Sequence, residues 1–363
     1  MARKTPEEML SSFSAAEEQL KADRKAKSAE FELKQTKAKL LASEKEVELL
    51  RGRIEIFNSL KDVKAKKITK GGKRSKSGHA TAVLMLSDLH CEETIQPEKV
   101  NGLNEYSLEI CEESLEQVFR RFVMLLNQER MLVDIKEMVL WIGGDLFTGN
   151  VPAAESAEVC SLPVMAACRW IQERLEGGIQ FLLDNSGLEK IKIVTSVGNH
   201  SRNTLKRMIA TEVEHSYEYN LYKVMEAKLT DPRLEWHVED GYLTYLDVEG
   251  WVTRWHHGSA LRYYGGMGGI TTTITKAISA WDQQVKADIS FSGHLHQHMY
   301  GGNFVSNASM IGHSPFAIEI KAKYEDPSQT FCVIDPDRGL TVVKKIFCRQ
   351  AMGSNKQRTK KVR

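Results

Sequence analysis

Cysteine is sparse in this chain and carries no pattern. The six residues Cys91, Cys111, Cys160, Cys168, Cys332 and Cys348 contain no Cys-x-x-Cys pair and no disulfide-scaffold spacing. A cysteine-stapled secreted module is thereby excluded, and reduced thiols in a cytoplasmic protein are expected. No apolar run approaches the roughly 18 residues of a membrane span, so no membrane association through a spanning helix is expected. The first residues lack the pattern of a secretory leader. No G-x-x-x-x-G-K-[ST] occurs, which excludes a nucleotide P-loop. Proline is missing from residues 7–60, and aromatic residues are missing from 61–76.

What is present is unevenly distributed. Residues 61–76 carry eight Lys/Arg and one Asp, and the stretch from Asn355 carries five Lys/Arg and no acid. Residues 1–60 are close to balance, which leaves 81–354 at about −11 beneath a formal net charge of only +2. An acidic body with two basic arms follows. With 42% hydrophobic residues in 363, the chain can bury a core as one large domain or two.

The proline-free N-terminal segment predicts one long helix over 6–60, with Pro6 suited to its first turn. A seven-residue repeat runs Ala26, Leu33, Leu40, Val47, Ile54. A second, offset by three, runs Ala15, Ala22, Ala29, Thr36, Ser43, Leu50, Phe57. These are the a and d positions of a coiled coil, so residues 1–60 are expected to make a homo-oligomer. Residues 61–80, with Gly71, Gly72 and Gly78, are expected to form a flexible basic linker, and 351–363 a basic tail. Such arms either solvate the protein or clamp a phosphate backbone through counterion release. With no aromatic residue interleaved in the linker, base stacking is not offered there.

Residues 81–350 form the body. In its first half short apolar runs alternate with amphipathic stretches, with helices expected over about 107–131, 154–183, 203–229 and then 270–285. Strands are expected over 81–87, 138–142, 191–197 and 251–255, and again over 289–292, 302–306, 331–334 and 340–347. The expected fold class is an α/β sandwich of two packed mixed sheets flanked by helices. Five of the apolar runs end in metal-type ligands: Asp88-Leu89-His90, Gly144-Asp145, Gly198-Asn199-His200, His256-His257-Gly258 and Gly293-His294-Leu295-His296. Imidazole, carboxylate and one amide oxygen, with no thiolate apart from Cys91 beside His90, suit a pair of hard divalent cations.

These five stretches resemble the calcineurin-like metallophosphoesterases over about residues 81–350. They resemble the diesterase and nuclease branch (the Mre11/SbcD type) more than the protein phosphatases. The resemblance implies a two-sheet sandwich with a dinuclear site at the strand ends. Position by position, it implies that Asp88, His90, Asp145 and His296 hold one metal. Asp145, Asn199, His257 and His294 hold the other, with Asp145 bridging. Two divalent ions are implied, Mn2+ first, with Fe2+, Mg2+ or Zn2+ as alternatives. His200 then protonates the leaving oxygen. A separate ATPase partner is common in that branch.

The chain departs from that pattern at three places. Ser201 and then Arg202 follow Gly-Asn-His where an acid is usual, so either another acid orients the histidine or Arg202 takes a substrate phosphate. Thr148 stands three residues after the bridging aspartate, where Asp, Glu or Asn is common. Cys91 and Glu92 replace a frequent glycine. His256 could replace its neighbour as ligand, but strand alternation lets only one of the pair face the site, and the following Gly258 favours His257. The loop from Tyr263 to Gly269, before the helix at Ile270, can cradle phosphate on its backbone, with Arg262, Tyr263 and Gly266 as candidate contacts. The function expected is a metal-dependent phosphodiesterase, most directly a nuclease acting on DNA. The alternatives are a phosphoesterase for nucleotides or cyclic nucleotides, and a non-enzymatic assembly subunit with a degenerate site.

Overall fold

The computed structural model describes residues 6–61, 78–149, 159–261, 269–319 and 321–349. It divides into two compact units, residues 1–73 and 74–363. In the first, a single helix α1 (Pro6–Lys61) runs for 56 residues, about 84 Å at 1.5 Å per residue. Gly52 does not break it. Leu33, Leu40, Val47, Leu50 and Ile54 are all exposed along it.

The second unit contains two sheets. Its strands in chain order are β1 (His79–Leu86), β2 (Asp134–Ile142), β3 (Lys190–Thr195), β4 (Leu234–His237), β5 (Thr244–Val248), β6 (Trp251–His256), β7 (Ile289–Ser292), β8 (Met299–Tyr300), β9 (Phe304–Ser306), β10 (Ser328–Asp335) and β11 (Gly339–Phe347). One sheet has the order β11-β10-β1-β2-β3-β4, with β1 to β4 parallel. The other has the order β5-β6-β7-β9-β8, with β6, β7 and β9 parallel. Five helices accompany them among the described residues: α2 (Leu108–Glu129), α3 (Val164–Asn185), α4 (Tyr217–Lys228), α5 (Gly269–Trp281) and α6 (Pro315–Glu319).

Period-two alternation explains how both faces of the first sheet are buried. Ala82, Leu84 and Leu86 of β1, with Met138, Leu140 and Ile142 of β2, face the helices. There they meet Phe119 and Phe122 of α2, Ile171 and Leu175 of α3, and Tyr222 of α4. The intervening Val83, Met85, Val139 and Trp141 face the second sheet and pack on Val248, Trp255, Phe291 and Val305. Trp255 stacks on Phe291 with ring centroids 4.1 Å apart, and truncating so large a buried side chain costs about 3–5 kcal/mol. The outer face of the second sheet is covered by Ile274 and Ile278 of α5, against Leu261, Leu295 and Phe304. The fold class is therefore an α/β sandwich of two mixed sheets flanked by helices.

Three elements differ from the sequence expectation. The helix expected over 154–183 begins at Val164, after Pro163 as its N-cap. Residues 150–158 lie outside the described residues. The helix expected over 203–229 is confined to Tyr217–Lys228. Ser216 caps it by accepting from Tyr219 N at 3.3 Å, and Arg207 is tied to Glu212 in the irregular segment before it. Local polar bonding outcompetes helix there. The strand expected at 302–306 begins at Phe304. The basic linker over 62–77 and the tail from residue 350 also lie outside the described residues.

Candidate metal centre

The parallel strands β1, β2, β3, β6 and β7 all end on the same kind of segment, a loop that leaves the sheet at its carboxyl edge and carries polar side chains. That edge is where open α/β sheets place ligands. Two groups form there. Asp88, His90 and His296 make one, and Asp145, His257 and His294 the other. Within each group the ligand atoms lie within 4.8 Å of one another. Eight described non-glycine residues have positive φ, and five are Asp88, His90, Asp145, His294 and His296, at φ between 48° and 66°. Left-handed backbone at such residues costs of order 1–3 kcal/mol each and concentrates at functional sites.

The first group rests on a buried polar network. Ser87 Oγ donates to Asp88 Oδ2 at 2.6 Å and accepts from Asn307 Nδ2 at 3.0 Å. Gln329 Oε1 accepts from Ser87 N at 2.8 Å and from Asn307 Nδ2 at 2.9 Å. His294 N donates to Asp88 Oδ1 at 3.0 Å, so the aspartate is held from both sheets. His90 Nδ1 lies 2.7 Å from Thr148 Oγ1, and that hydroxyl donates to Glu93 Oε1 at 2.5 Å. The hydroxyl proton is thus committed to Glu93, Thr148 accepts from His90 Nδ1–H, and His90 Nε2 faces His296 Nε2 at 3.3 Å.

The second group follows the same logic. His257 Nδ1 donates to Gly143 O at 2.7 Å, which leaves Nε2 directed at Asp145 Oδ2 at 2.9 Å and Asn199 Oδ1 at 3.2 Å. The Asp145 carboxylate is held at its other oxygen by His200 N at 2.9 Å. His256 faces the opposite way, between the rings of Tyr242 and Trp281 at 5.9 and 4.8 Å. His200 lies edge-on to His90, ring centroids 4.9 Å apart, and its buried Nδ1 has no protein partner.

Electrostatics favour a cation here. Burial opposes the Asp145 carboxylate, yet the His257 and His200 imidazoles hold the carboxyl well below its usual value. Burial would lower His257, but the Asp145 charge and hydrogen bond raise it to about 10. Burial, with His257 adding to it, pushes His294 down to about 3. Burial together with His200 and His296 drives His90 well below its ordinary value. His90 and His294 are therefore neutral at physiological pH, the form that offers a lone pair to a metal. The donor set of carboxylates, imidazoles and the Asn199 amide oxygen, with ring tautomers set by outer partners, fits divalent cations.

Arg202 donates to Asn199 O at 2.5 Å and Thr204 O at 3.1 Å, so its guanidinium braces the loop carrying Asn199. Arg262, Tyr263 and Gly266 lie outside the described residues. A cavity of about 320 Å3 lined by Leu103, Arg121, His313, Tyr324, Phe347 and Arg349 includes none of the ligands. Two functional partners carried no sequence signal. Glu92 accepts from Thr148 N at 2.9 Å and Gly149 N at 2.7 Å. Glu218 accepts from Leu146 N at 2.7 Å and Gly198 N at 2.6 Å.

No family model and no curated protein matches the sequence. Among solved structures, a hypothetical protein from Pyrococcus horikoshii is similar at 13% identity and TM-score 0.34, over 78% of this chain and 92% of that one. A conserved uncharacterized protein of Streptococcus pneumoniae, titled a predicted phosphoesterase, is similar at 10% identity and TM-score 0.28, over 73% of this chain and 97% of that one. The Entamoeba histolytica vacuolar sorting protein solved with Zn2+ is similar at 13% identity and TM-score 0.27, over 74% of this chain and all of that one. These likenesses are loose, and the site is read from the chain's own side chains. No helix among the described residues is long and apolar enough to cross a membrane.

Proposed function

We propose that this chain is a divalent-metal-dependent phosphodiesterase of the calcineurin-like kind, acting on nucleic acid, with DNA as the first substrate to test. The observation that carries the reading is the pair of adjoining ligand groups, Asp88/His90/His296 and Asp145/His257/His294. Asp88, His90, Asp145 and His296 would hold one ion, and Asp145, Asn199, His257 and His294 the other, with Mn2+ as the first candidate. When bound, such a pair supplies positive charge to the phosphoryl oxygens and lowers the pKa of water.

The chain's own residues do the rest. His200 N fixes the orientation of the Asp145 carboxylate. The His200 ring, buried beside His90 with Nδ1 unengaged, protonates the departing alkoxide. Gly143 O and Thr148 Oγ1 hold His257 and His90 with Nε2 turned inward. The basic segments over 61–76 and from Asn355 would follow the substrate's phosphates, and α1 would join copies of the chain.

A small nucleotide or cyclic-nucleotide substrate is the second reading, favoured by the acidic body over 81–354. The complete ligand set argues against a degenerate, purely structural site. The test is hydrolysis of a generic aryl phosphodiester and of end-labelled single- and double-stranded DNA with Mn2+, wild type beside Asp145→Asn. Hydrolysis of both by wild type alone supports the nuclease reading. Loss of the DNA activity with the generic diester still cut transfers the site to small substrates, and no hydrolysis of either ends the enzymatic reading.

A further inference from the structure

We infer that Glu218 is a positioning residue that sets the geometry of the second ligand group and so decides whether the second metal position fills; this rests on the dinuclear reading above. Glu218 lies in the first turn of α4 and is fully buried. Among the described residues the charged groups acting on it are Asp145 and His257, with no Lys or Arg among the main ones. Instead, its two oxygens are shared between two loops. Oε1 takes the N–H of Leu146, next to Asp145, and Oε2 takes the N–H of Gly198, next to Asn199. Burying a carboxylate is costly, and here two backbone N–H groups offset part of that cost.

The loops it joins are packed at their limit. A Cβ at Gly198 would lie 2.1 Å from Asp145 Oδ1, and one at Gly144 would lie 2.4 Å from Gly198 N. The helix that delivers the carboxylate is fastened to the same place. Ser216, its cap, lies 2.9 Å from Ser201 Oγ, and Ser201 O accepts from Tyr217 N at 2.9 Å. The loop that carries Ser201 is thus tied to the start of the helix that carries Glu218. The first group hangs on different supports: Ser87, Asn307 and Gln329 beneath Asp88, and Thr148 with Glu93 behind His90. Loss of the Glu218 bonds therefore falls on Asn199, a ligand of the second position alone, and on Asp145, which both positions share, while Asp88, His90 and His296 keep their own supports.

The experiment is a titration of the full chain with Mn2+ alone, by calorimetry and by the spin-coupled electron paramagnetic resonance signal of an ion pair. Wild type, Glu218→Gln, Glu218→Asp and Ser216→Ala are compared. Glutamine places an amide N–H2 against one of the two backbone donors, so the second ion is expected to weaken about 10–100-fold, the range for partners that orient ligands. The first ion, which keeps Asp88, His90 and His296, is expected to lose less affinity than the second, and the coupled signal appears only at raised Mn2+. Aspartate reaches one loop only and carries the same test should glutamine not fold. Ser216→Ala removes the cap and the Ser201 contact but keeps the carboxylate, so its loss of the second ion should be clearly smaller than that of the Glu218 variants. Wild-type affinity for both ions in the Glu218 variants, or equal loss of the second ion in Ser216→Ala, overturns the inference. Wild type binding fewer than two ions overturns it together with the dinuclear reading. Two bound ions without phosphodiester hydrolysis overturn the proposed function alone.

Discussion

The hydroxyl of Thr148 stands between His90 and Glu93, 2.7 Å from the imidazole Nδ1 and 2.5 Å from the carboxylate it donates to. This chain of two bonds fixes which nitrogen of His90 carries its proton. It joins the loop after β1 to the loop after β2 at a position where the sequence alone showed only an unusual residue.

Thr148→Val keeps the shape and removes the acceptor. His90 then loses the partner that holds its ring, and Glu93 loses a donor. The first metal is expected to bind about 10–100-fold more weakly, while Thr148→Ser stays within a few fold of wild type. Equilibrium dialysis with Mn2+ reads the difference, and equal affinities in the valine and serine variants would remove the hydroxyl from the account.

Gly198→Ala is expected to be far more damaging than its size suggests. The added methyl would lie 2.1 Å from Asp145 Oδ1 and 2.2 Å from Asp145 N. Neither can yield without moving a ligand, so phosphodiester turnover should fall at least 100-fold, with stability lowered by a few kcal/mol. Gly52→Ala, where the methyl meets nothing within 4 Å, serves as the comparison, and its turnover should match wild type.

Much of this was readable in advance, for identifiable reasons. The strands at 79–86, 134–142 and 190–195 are buried on both faces, so their apolar runs stand out from the polar loops, and the ligands after them are marked by the breaks. The long helix α1 was legible because nothing in residues 7–60 interrupts it. The periodicity of 203–216 resembles that of a helix, whereas side chains hold the segment irregular: Arg202 bonds Thr204 O, Arg207 pairs with Glu212, and Ser201 meets Ser216. Glu218 and Glu92 could not be recognised, since each acts on backbone N–H groups brought near only by the fold. The left-handed backbone of five ligands was equally invisible, because no glycine marks those positions.

Acid sensitivity of the metal-free protein should have an identifiable contribution from His256. Burial pushes this imidazole down to about 3, with the Arg254 guanidinium adding to it. Tyr242 and Trp281 pack against it, and its Nδ1 has no protein partner. A histidine whose folded value is depressed stabilises the fold above its unfolded value near 6.5, and that stability is lost as pH falls towards 3. At pH 5 the loss amounts to about 2 kcal/mol. In thermal unfolding of the chelated proteins between pH 8 and 5, wild type should therefore lose about 2 kcal/mol more stability than His256→Leu, whatever their offset at pH 8. Parallel curves would mean that His256 does not titrate between the two states.

The exposed apolar repeat of α1 calls for a partner surface, and we propose that a second copy of the same helix supplies it. Leu33, Leu40, Val47 and Ile54 recur every seven residues, and each is between 44% and 59% exposed. Left in water, that stripe forfeits about 25 cal/mol for each Å2 of apolar surface that pairing would bury. In a coiled coil the repeat at 26–54 and the offset repeat at 15–57 meet as facing knobs and holes. Leu40→Glu with Val47→Glu places like charges across that seam. Sedimentation velocity should show wild type as an oligomer and the double variant as a monomer. Turnover of a small phosphodiester, whose ligands all lie beyond residue 87, should be unchanged. On long DNA the two should separate, because an oligomer presents several basic segments to one polymer. Wild type is expected to bind more tightly and to lose affinity more steeply with salt than the monomer, in proportion to the phosphates each neutralises. A wild type that sediments as a monomer at micromolar concentration would leave the repeat without this role.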